Sequence, residues 1–415
     1  MKNVRLFSFS AIFASILMLN GCDTKDDEMP ETMNSTFTVT IENIFEAKEY
    51  FNTGQTGLIT PGNTESFSFD AGVGQSVSFA TMLVESNDLF YAPDEMGISL
   101  YDDNGDPITG DVSDMISLWD AGTEVNETPG MGANQPLRQS GANTGTTENN
   151  PVQMVDDNFT YPSSNAILKV EIEHDGGTLF TLTLSNVSNS STLPSPLAPG
   201  IWVIHETNQM PIFTDGTLAK EGLEPLAEDG DNVLFNTNLV EMTGFFSPLA
   251  PGAYAIGSEN MIFMTGQSSS TALEKLAEDG DASGFESVFN TPVGAASAGP
   301  LLPDNSYSFT FTADNGDKLS FATMLVQSND WFIGTDNLDL FTNGMPISGD
   351  ITTNVYLYDT GTEIDEYAGA GKNQPLRQSG PNTGVDEGGN ISLEANPSEN
   401  IPSLDKMVRV TITPM

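Results

Sequence analysis

Six acidic residues recur at matching positions in two halves of the sequence, and they are the best candidates for chemistry. The three pairs are Asp88 and Asp330, Asp120 and Asp359, and Glu124 and Glu363. In each half the second and third acids belong to one motif, DAGTE or DTGTE, whose glycine predicts a tight loop that turns both carboxylates toward one point. Core packing requires only a repeated hydrophobic pattern, so the repeated polar residues point to a shared site.

The chemistry that suits such a cluster is the binding of a hard divalent cation. Carboxylates brought together repel one another unless a positive charge neutralises them, and the chain has few bases. Calcium accepts many oxygen ligands in a flexible geometry, whereas magnesium prefers a stricter geometry and retains water. The sequence therefore predicts one calcium site in each half. The alternative is that the acids only cap loops through hydrogen bonds to backbone N–H groups.

A second repeated motif, NQPLRQSG, places an arginine in each half, at Arg138 and Arg377. These are two of only 13 basic residues in the chain. Such an arginine could pair with the acids of the predicted calcium site and fix the loop, or it could contact a ligand. We favour the pairing.

The composition excludes several classes of function. The 58 acids give a formal net charge of −45, which would repel a nucleic-acid backbone. The same charge suits divalent cations, a salty medium or a basic partner surface, and it also promotes solubility. One cysteine and two histidines leave no disulfide and no zinc cluster. Since neither His174 nor His205 recurs in the other half, we expect them to be structural, and we expect no enzyme; a carboxylate-based hydrolase is the weakest alternative.

Much of the remaining sequence alternates apolar and polar residues with period two, as in FTVTIENI at 37–44, and Gly, Asn, Asp and Pro separate these runs. This pattern is typical of an antiparallel β-sandwich. The sequence predicts an all-β fold of two tandem sandwiches, residues 37–175 and 178–415. The second would carry an insertion at about 189–287, which contains SPLAPG and LAEDGD twice and includes short helices, one of them closed by Gly280.

Each half resembles the spondin domain, the N-terminal module of F-spondin and mindin, which is also found in bacterial proteins. The resemblance rests on FATMLVxSND followed by Leu-Phe or Trp-Phe, at 79–90 and 321–332, and on the D-x-G-T-E loop that follows. It covers most of residues 37–415, twice, and implies a C2-like sandwich whose calcium is held by the six recurrent acids. Animal members tend to have Asp at the third position, where this chain has Glu124 and Glu363. The first copy lacks the insertion and looks pared down.

The resemblance also implies a function in binding, because the animal domains engage cell-surface and matrix partners. We expect a binding or adhesion module for an extracellular protein or glycan of unknown identity. The alternative is a structural spacer or an assembly subunit without a small ligand.

The N-terminal sequence predicts export and lipid anchoring. A basic start and an apolar run end in LNGC, which predicts a signal peptide at 1–21 and a lipid attachment site of a bacterial lipoprotein at Cys22. An ordinary signal peptide is the alternative. Residues 22–36 predict an acidic tether. Asp23 resembles an inner-membrane retention signal, whereas the KDDE that follows resembles a surface-export signal; we expect the outer membrane or cell surface rather than the inner membrane.

Overall fold

The computed structural model describes residues 34–395 and 400–415. Their strands, in chain order, are β1 (Asn34–Asn43), β2 (Asn52–Gln55), β3 (Thr64–Asp70), β4 (Gln75–Met82), β5 (Leu89–Ala92), β6 (Ile98–Ser99), β7 (Gly110–Asp111), β8 (Ser117–Asp120), β9 (Gln153–Met154), β10 (Leu168–Gly176), β11 (Leu179–Asn186), β12 (Ile201–Glu206), β13 (Leu249–Gly257), β14 (Val288–Phe289), β15 (Ser306–Asp314), β16 (Lys318–Leu325), β17 (Trp331–Asp339), β18 (Phe341–Thr342), β19 (Met345–Pro346), β20 (Gly349–Asp350), β21 (Tyr356–Asp359), β22 (Ser392–Leu393) and β23 (Val408–Pro414). The helices are α1 (Leu223–Asp229), α2 (Val233–Met242) and α3 (Thr271–Asp279). Short 3-10 turns lie at Ser113–Met115, Ser164–Ala166, Ser188–Ser190, Ala282–Gly284, Thr352–Asn354 and Leu404–Lys406.

Within these residues no helix combines the length and the apolar character that crossing a membrane requires. The predicted signal peptide and the predicted lipid attachment site at Cys22 lie outside the described residues, as does most of the predicted tether.

The first sandwich is built from residues 50–243. One of its sheets has the order β3-β11-β10-β7, and the other has the order β2-β12-β4-β5-β8-β9, with β6 paired to β4. The period-two pattern explains the packing: in β11 the alternate residues Phe180, Leu182 and Leu184 are buried between the sheets. All ladders in these sheets are antiparallel, so the predicted all-β class is confirmed.

The second sandwich is built from residues 34–49, 244–395 and 400–415. Its sheets have the orders β15-β1-β23-β20 and β14-β13-β16-β17-β21-β22, and β18 and β19 form a separate hairpin. In β1 the side chains of Phe37, Val39 and Ile41 are fully buried in this core. The first strand of the described residues, β1, is therefore a central strand of the second sandwich.

This strand order corrects the predicted division at 175–177. The strands β10 and β11 form one hairpin, with Val170 opposite Leu184, and both belong to the first sandwich. The strand β1 pairs instead with β15 and β23, with Phe37 opposite Phe311. The whole first sandwich is thus inserted between β1 and β13 of the second. The physical reason is that β1 and β11 carry equivalent patterns, and a pattern does not specify which distant strand completes the pairing.

The predicted insertion at about 189–287 is likewise divided between the two sandwiches. The first SPLAPG segment leads into β12, where Trp202 lies opposite Phe79 of β4. The second leads into β13, where Tyr254 lies opposite Phe321 of β16. Each sandwich therefore contains one copy of this strand, and the first sandwich is not pared down.

Each sandwich also receives one helix with the LAEDG motif. The Ser270 hydroxyl accepts a hydrogen bond from the Leu273 N–H at 3.2 Å at the start of α3, and the helix ends at Gly280, whose φ is 69°. This confirms the predicted helix closed by that glycine. The helix α1 ends in the same way at Gly230, with φ of 68°. These two helices pack on β16 and β4, respectively.

Candidate metal centres

Strand pairing brings the first two recurrent acids of each half together. Asp88 lies in the turn between β4 and β5, and Asp120 is the last residue of β8. Because β5 pairs with β8, with Leu89 opposite Asp120, the two carboxylates lie at the same end of the sheet. In the second sandwich Trp331 lies opposite Asp359, which places Asp359 next to Asp330 in the same way.

In the first sandwich three carboxylates form a cluster, which we call the first cluster: Asp88, Asp120 and Glu148, with one oxygen of each within 4.8 Å of the others. Asp88 is 0% exposed and Asp120 is 5% exposed. The chain after the DAGTE loop brings in Glu148, whose backbone N–H donates to the Thr123 carbonyl at 2.8 Å. The cluster thus offers oxygen ligands from three separate segments.

Hydrogen bonds fix the carboxylates of the first cluster but leave one oxygen free. Asp88 Oδ2 accepts hydrogen bonds from the backbone N–H groups of Thr123 and Glu124, at 3.1 and 3.0 Å. Asp120 Oδ1 accepts from the Gly122 N–H at 2.7 Å, and its Oδ2 accepts from Asn126 at 2.6 Å. Asp88 Oδ1 is buried and has no hydrogen-bond partner. A buried carboxylate oxygen without a partner is costly unless a cation binds it.

The second sandwich repeats this arrangement with a different third acid. Its cluster, the second cluster, consists of Asp330, Asp359 and Asp365. Asp330 is 0% exposed, its Oδ2 accepts from the backbone N–H groups of Thr362 and Glu363 at 3.0 and 3.1 Å, and its Oδ1 has no partner. Asp365 stands at the position that Asn126 occupies in the first sandwich.

The structure does not bring the predicted ligands Glu124 and Glu363 into these clusters. Glu124 Oε1 accepts a hydrogen bond from the Gly145 N–H at 2.6 Å, and Glu363 Oε1 accepts from the Gly384 N–H at 2.8 Å. Each glutamate supplies its backbone N–H to the buried aspartate, while its side chain closes the following loop. Sequence reasoning missed Glu148 and Asp365, because neither occupies a recurrent position of the D-x-G-T-E motif.

Burial and mutual repulsion both oppose ionisation of the clusters. Burial raises the pKa of Asp88, and the neighbouring Asp120 charge raises it further, although N–H donors partly offset the rise. Burial and the Asp330 charge raise the pKa of Asp359 in the same way. Burial also raises the pKa of Asp365 to about 6. Among the described residues, no lysine or arginine forms an ion pair with either cluster.

The donor set fits calcium. All of the side-chain donors are carboxylate oxygens, which hard cations such as Ca²⁺ prefer, and soft ligands for zinc or copper are absent from both clusters. The free oxygen of the buried aspartate recurs in both sandwiches, at Asp88 Oδ1 and Asp330 Oδ1. A role in capping loops does not by itself explain why this oxygen is free in both sandwiches.

The two recurrent arginines lie elsewhere. Arg138 is exposed and forms an ion pair with Glu85 and a hydrogen bond to the Gly132 carbonyl at 2.8 Å. Arg377 is partly buried and donates to Gln327 and Gln374. The predicted pairing with the acids of the metal site is therefore wrong, although Arg138 does fix its own loop.

The two histidines have structural contacts. His205 is buried, its Nε2 lies 2.8 Å from the Ser78 hydroxyl, and burial lowers its pKa to about 4. His174 Nε2 lies 3.0 Å from the Gly177 carbonyl in the turn between β10 and β11.

Comparison with known families identifies part of the chain. The family model described as Spondin_N matches residues 198–386, which is less than half of the chain. The match runs from β12 of the first sandwich into the second and includes the whole second cluster, whereas the first cluster lies outside it. A search of curated proteins gave no match.

Proposed function

We propose that this chain is an extracytoplasmic binding and adhesion module in which each sandwich holds one calcium ion. The observation that carries the proposal is the twofold recurrence of a fully buried aspartate with a free oxygen, Asp88 and Asp330, inside a carboxylate cluster. The spondin-domain match supports it over residues 198–386.

The two proposed calcium sites would share two equivalent aspartates and would take their third acid from different positions of the repeat. The first site would use Asp88, Asp120 and Glu148, and the second would use Asp330, Asp359 and Asp365. A bound calcium ion would supply the positive charge that lets these carboxylates ionise together. The chain's own contribution is to fix the loops, since N–H groups of the D-x-G-T-E loop hold the buried aspartate in place.

Calorimetric titration of the purified chain with Ca²⁺ tests this proposal. We expect two ions per chain, one ion for Asp120→Asn or Asp359→Asn, and none for the double variant. Asp103→Asn is the matched control, because Asp103 is an exposed acid outside the clusters, and it should keep both ions. Binding that survives in the double variant would overturn the assignment of these sites.

A repeated exposed leucine gives the proposed partner a point of contact. In the two NQPLRQSG loops Leu137 is 58% exposed and Leu376 is 60% exposed. A core does not require an exposed apolar residue at the same place twice, and this recurrence is the reason for assigning these leucines to the partner surface. The partner we propose is an extracellular protein or glycan.

A glycan array and a pull-down with the full chain would identify this partner. Leu137→Ser with Leu376→Ser should abolish capture while leaving the melting temperature within a few degrees of the parent protein. Exposed Leu302, outside the repeated loops, provides the control substitution Leu302→Ser. Equal loss of capture in the control and the double variant would argue against these loops.

We further propose anchoring through a lipid on Cys22, with placement at the outer membrane or cell surface. The support is the LNGC motif and the acidic stretch that follows it. Detergent phase partitioning tests the anchor: the parent protein should enter the detergent phase, and Cys22→Ser should remain in the aqueous phase.

The proposed role is not enzymatic. A glycoside hydrolase presents paired carboxylates to its substrate, whereas Asp88 and Asp330 are 0% exposed and hold backbone N–H groups. Hydrolysis of a glycoside or ester that depended on Asp120 and Asp359 would contradict this part of the proposal.

A structural spacer is the second candidate function, and the crossovers between the sandwiches favour it. Segments 44–49 and 243–248 connect the two sandwiches, and Tyr50 and Thr243 form a parallel bridge where they meet. Two adjacent connections restrict relative movement more than a single linker does. Absence of any captured partner from the pull-down, with calcium binding intact, would favour this alternative.

A further inference from the structure

A cavity of about 180 Å³ lies where the two sandwiches meet, beside the two crossover segments. We call it the interdomain cavity. The aromatic residues of its wall include Phe51, which follows the first crossover, and Phe245 from the second. Its polar residues include Gln327, which follows β16, and Arg377 from the repeated NQPLRQSG loop. Neither calcium cluster contributes a residue to it.

The repeat shows what is unusual about the arginine in this cavity. Arg138, its counterpart in the first sandwich, pairs with the carboxylate of Glu85 in the motif FATMLVESND. In the second sandwich the same motif reads FATMLVQSND, so Arg377 meets the amide oxygen of Gln327, at 3.2 Å. The acid that neutralises the first arginine is therefore absent beside the second.

The arginine of the cavity is also more buried than its counterpart. Its Nε atom is buried and has no hydrogen-bond partner. Among the described residues no carboxylate lies within ion-pair distance of Arg377, although Glu206 and Glu366 act on it from farther away. Gly72 of the first sandwich allows this close approach, because a Cβ there would lie 2.7 Å from Arg377 Nε. A guanidinium remains charged in a protein, so a partly buried one with an unpaired Nε–H and no directly paired anion is unfavourable.

We propose that the interdomain cavity binds a small organic monocarboxylate, whose carboxylate pairs with Arg377 and whose short apolar part lies against Phe51 and Phe245. This proposal is independent of the calcium sites.

Three features select this class of ligand. Arg377 provides one positive charge without a directly paired acid, which matches a single carboxylate. Glu49 and Glu206 also line the cavity and repel a dianion such as phosphate about twice as strongly as a monoanion, while Lys48, the other cation of the wall, already pairs with Glu46. The volume of about 180 Å³ is smaller than the roughly 300–1,000 Å³ of drug-sized sites, so only a few heavy atoms fit.

Calorimetric titration of the calcium-saturated chain with propionate tests the proposal. We expect one propionate per chain, with a Kd on the order of 1 mM given the small contact area. Arg377→Gln should weaken binding at least tenfold. Gln327→Glu should do the same, because it gives Arg377 the carboxylate partner that Arg138 has, and it should also raise the melting temperature of the propionate-free protein.

Glu85→Gln is the matched control. It gives Arg138 the amide partner found in the second sandwich, but Arg138 is exposed and lines no part of this cavity, so propionate binding should stay at one per chain. The double variant Asp120→Asn with Asp359→Asn should also retain propionate binding, which separates this site from the calcium clusters.

Several outcomes would overturn the proposal. The parent protein could fail to bind propionate at about 50 mM, well above the Kd expected from so small a contact, or Gln327→Glu could bind it unchanged. Equal binding of neutral propionamide would show that charge plays no part. Equal competition by chloride or phosphate would replace the monocarboxylate site with a general anion site.

Discussion

Replacing Phe37 by alanine should destabilise the second sandwich and spare the first, although Phe37 precedes the whole first sandwich in the chain. Phe37 is 0% exposed; its ring centroid lies 5.6 Å from that of Phe311 in a stacked pair and 5.6 Å from that of Phe341 in an edge contact. Truncation of a buried phenylalanine to alanine costs about 3–5 kcal/mol. At about 2–4 °C per kcal/mol for a domain of this size, the melting temperature of the second sandwich should fall by roughly 6–20 °C.

The three tryptophans allow each sandwich to be followed separately. Trp119 and Trp202 lie in the first sandwich, and Trp331 lies in the second. In a Trp119→Phe, Trp202→Phe background the fluorescence melt reports the second sandwich, and in a Trp331→Phe background it reports the first. Both backgrounds are measured with saturating calcium, so that loss of metal does not add to the shift.

Phe180→Ala is the matched control, since Phe180 is the equivalent residue of β11 and is 0% exposed in the first core. It should lower the transition reported by Trp119 and Trp202 and spare the one reported by Trp331. The reasoning would be refuted if Phe37→Ala lowered the first-sandwich transition alone, because β1 would then belong where its position in the chain suggests. Equal shifts of both transitions would refute independent unfolding of the two sandwiches.

Three further predictions concern the loops and the helix that surround the sites. Burial raises the pKa of Glu363 to about 7 and also raises the pKa values of the buried aspartates Asp88 and Asp330. The calcium-free chain should therefore lose stability as the pH rises from about 4 to about 7, because the folded state retains protons that the unfolded state releases. Melts with and without EDTA should show a calcium-induced shift that grows over this range, and a constant shift would contradict the argument. Gly122→Ala should cost roughly 1–2 kcal/mol in the melt of the first sandwich, since φ there is 69° and a Cβ would meet the Asn150 carbonyl, whereas Gly141→Ala, with open space around it, should be neutral. Ser270→Ala should lower the stability of the second sandwich by about 1 kcal/mol through loss of the α3 cap, and an unchanged denaturation midpoint would show that this cap contributes nothing.

Local sequence patterns predicted the helices and strands better than they predicted which strands pair with one another. Alternation in β11 and the Leu-Ala-Glu-Asp-Gly segment of α3 each contain their signal within a few residues, and both elements form as expected. The helix α2 was not predicted, because Phe235 and Leu239 are its only buried residues and they give a weak periodicity. The assignment of β1 failed for a different reason: its pairing with β23 joins residues 37–43 to residues 408–414, and no local pattern encodes so distant a contact.

Only the residues of the candidate site that recur in both halves were predicted. Asp88 and Asp120 recur in the second sandwich, and strand pairing brings both pairs together. The third acid of the cluster differs: Glu148 completes one cluster and Asp365 the other, although the counterpart of Glu148 in the second half, Glu387, is also an acid. A comparison of the two halves contained a signal for Glu148, which recurs as Glu387, but none for Asp365, which stands where the first half has Asn126. The conformation of Glu124 was also inaccessible, because it depends on a hydrogen bond to Gly145 across the loop.

The extra segment of the second half contains two copies of one strand, β12 and β13, and each sandwich takes one of them. A sandwich without β12 would leave one edge of β4 unpaired over six residues, from Gln75 to Ala80, and a buried unpaired strand edge is strongly unfavourable. A second copy of the same strand in the other sandwich would have no equivalent edge to occupy, because β13 already pairs with β16. One copy for each sandwich satisfies both ladders, and the pairing of β1 with β15 and β23 places the first sandwich inside the second in chain order.

This order changes how the proposed lipid anchor would act on the molecule. The predicted tether at 22–36 would connect the anchor to β1, which is held between β15 and β23 by antiparallel ladders on both edges. Tension between the membrane and a partner bound to the second sandwich would therefore act on β1 along its length, and the hydrogen bonds of both ladders would resist it together. The first sandwich lies outside this path, because the chain enters it only after β1. The buried side chains of β1, Phe37 among them, are thus the residues on which both the second core and the proposed attachment depend.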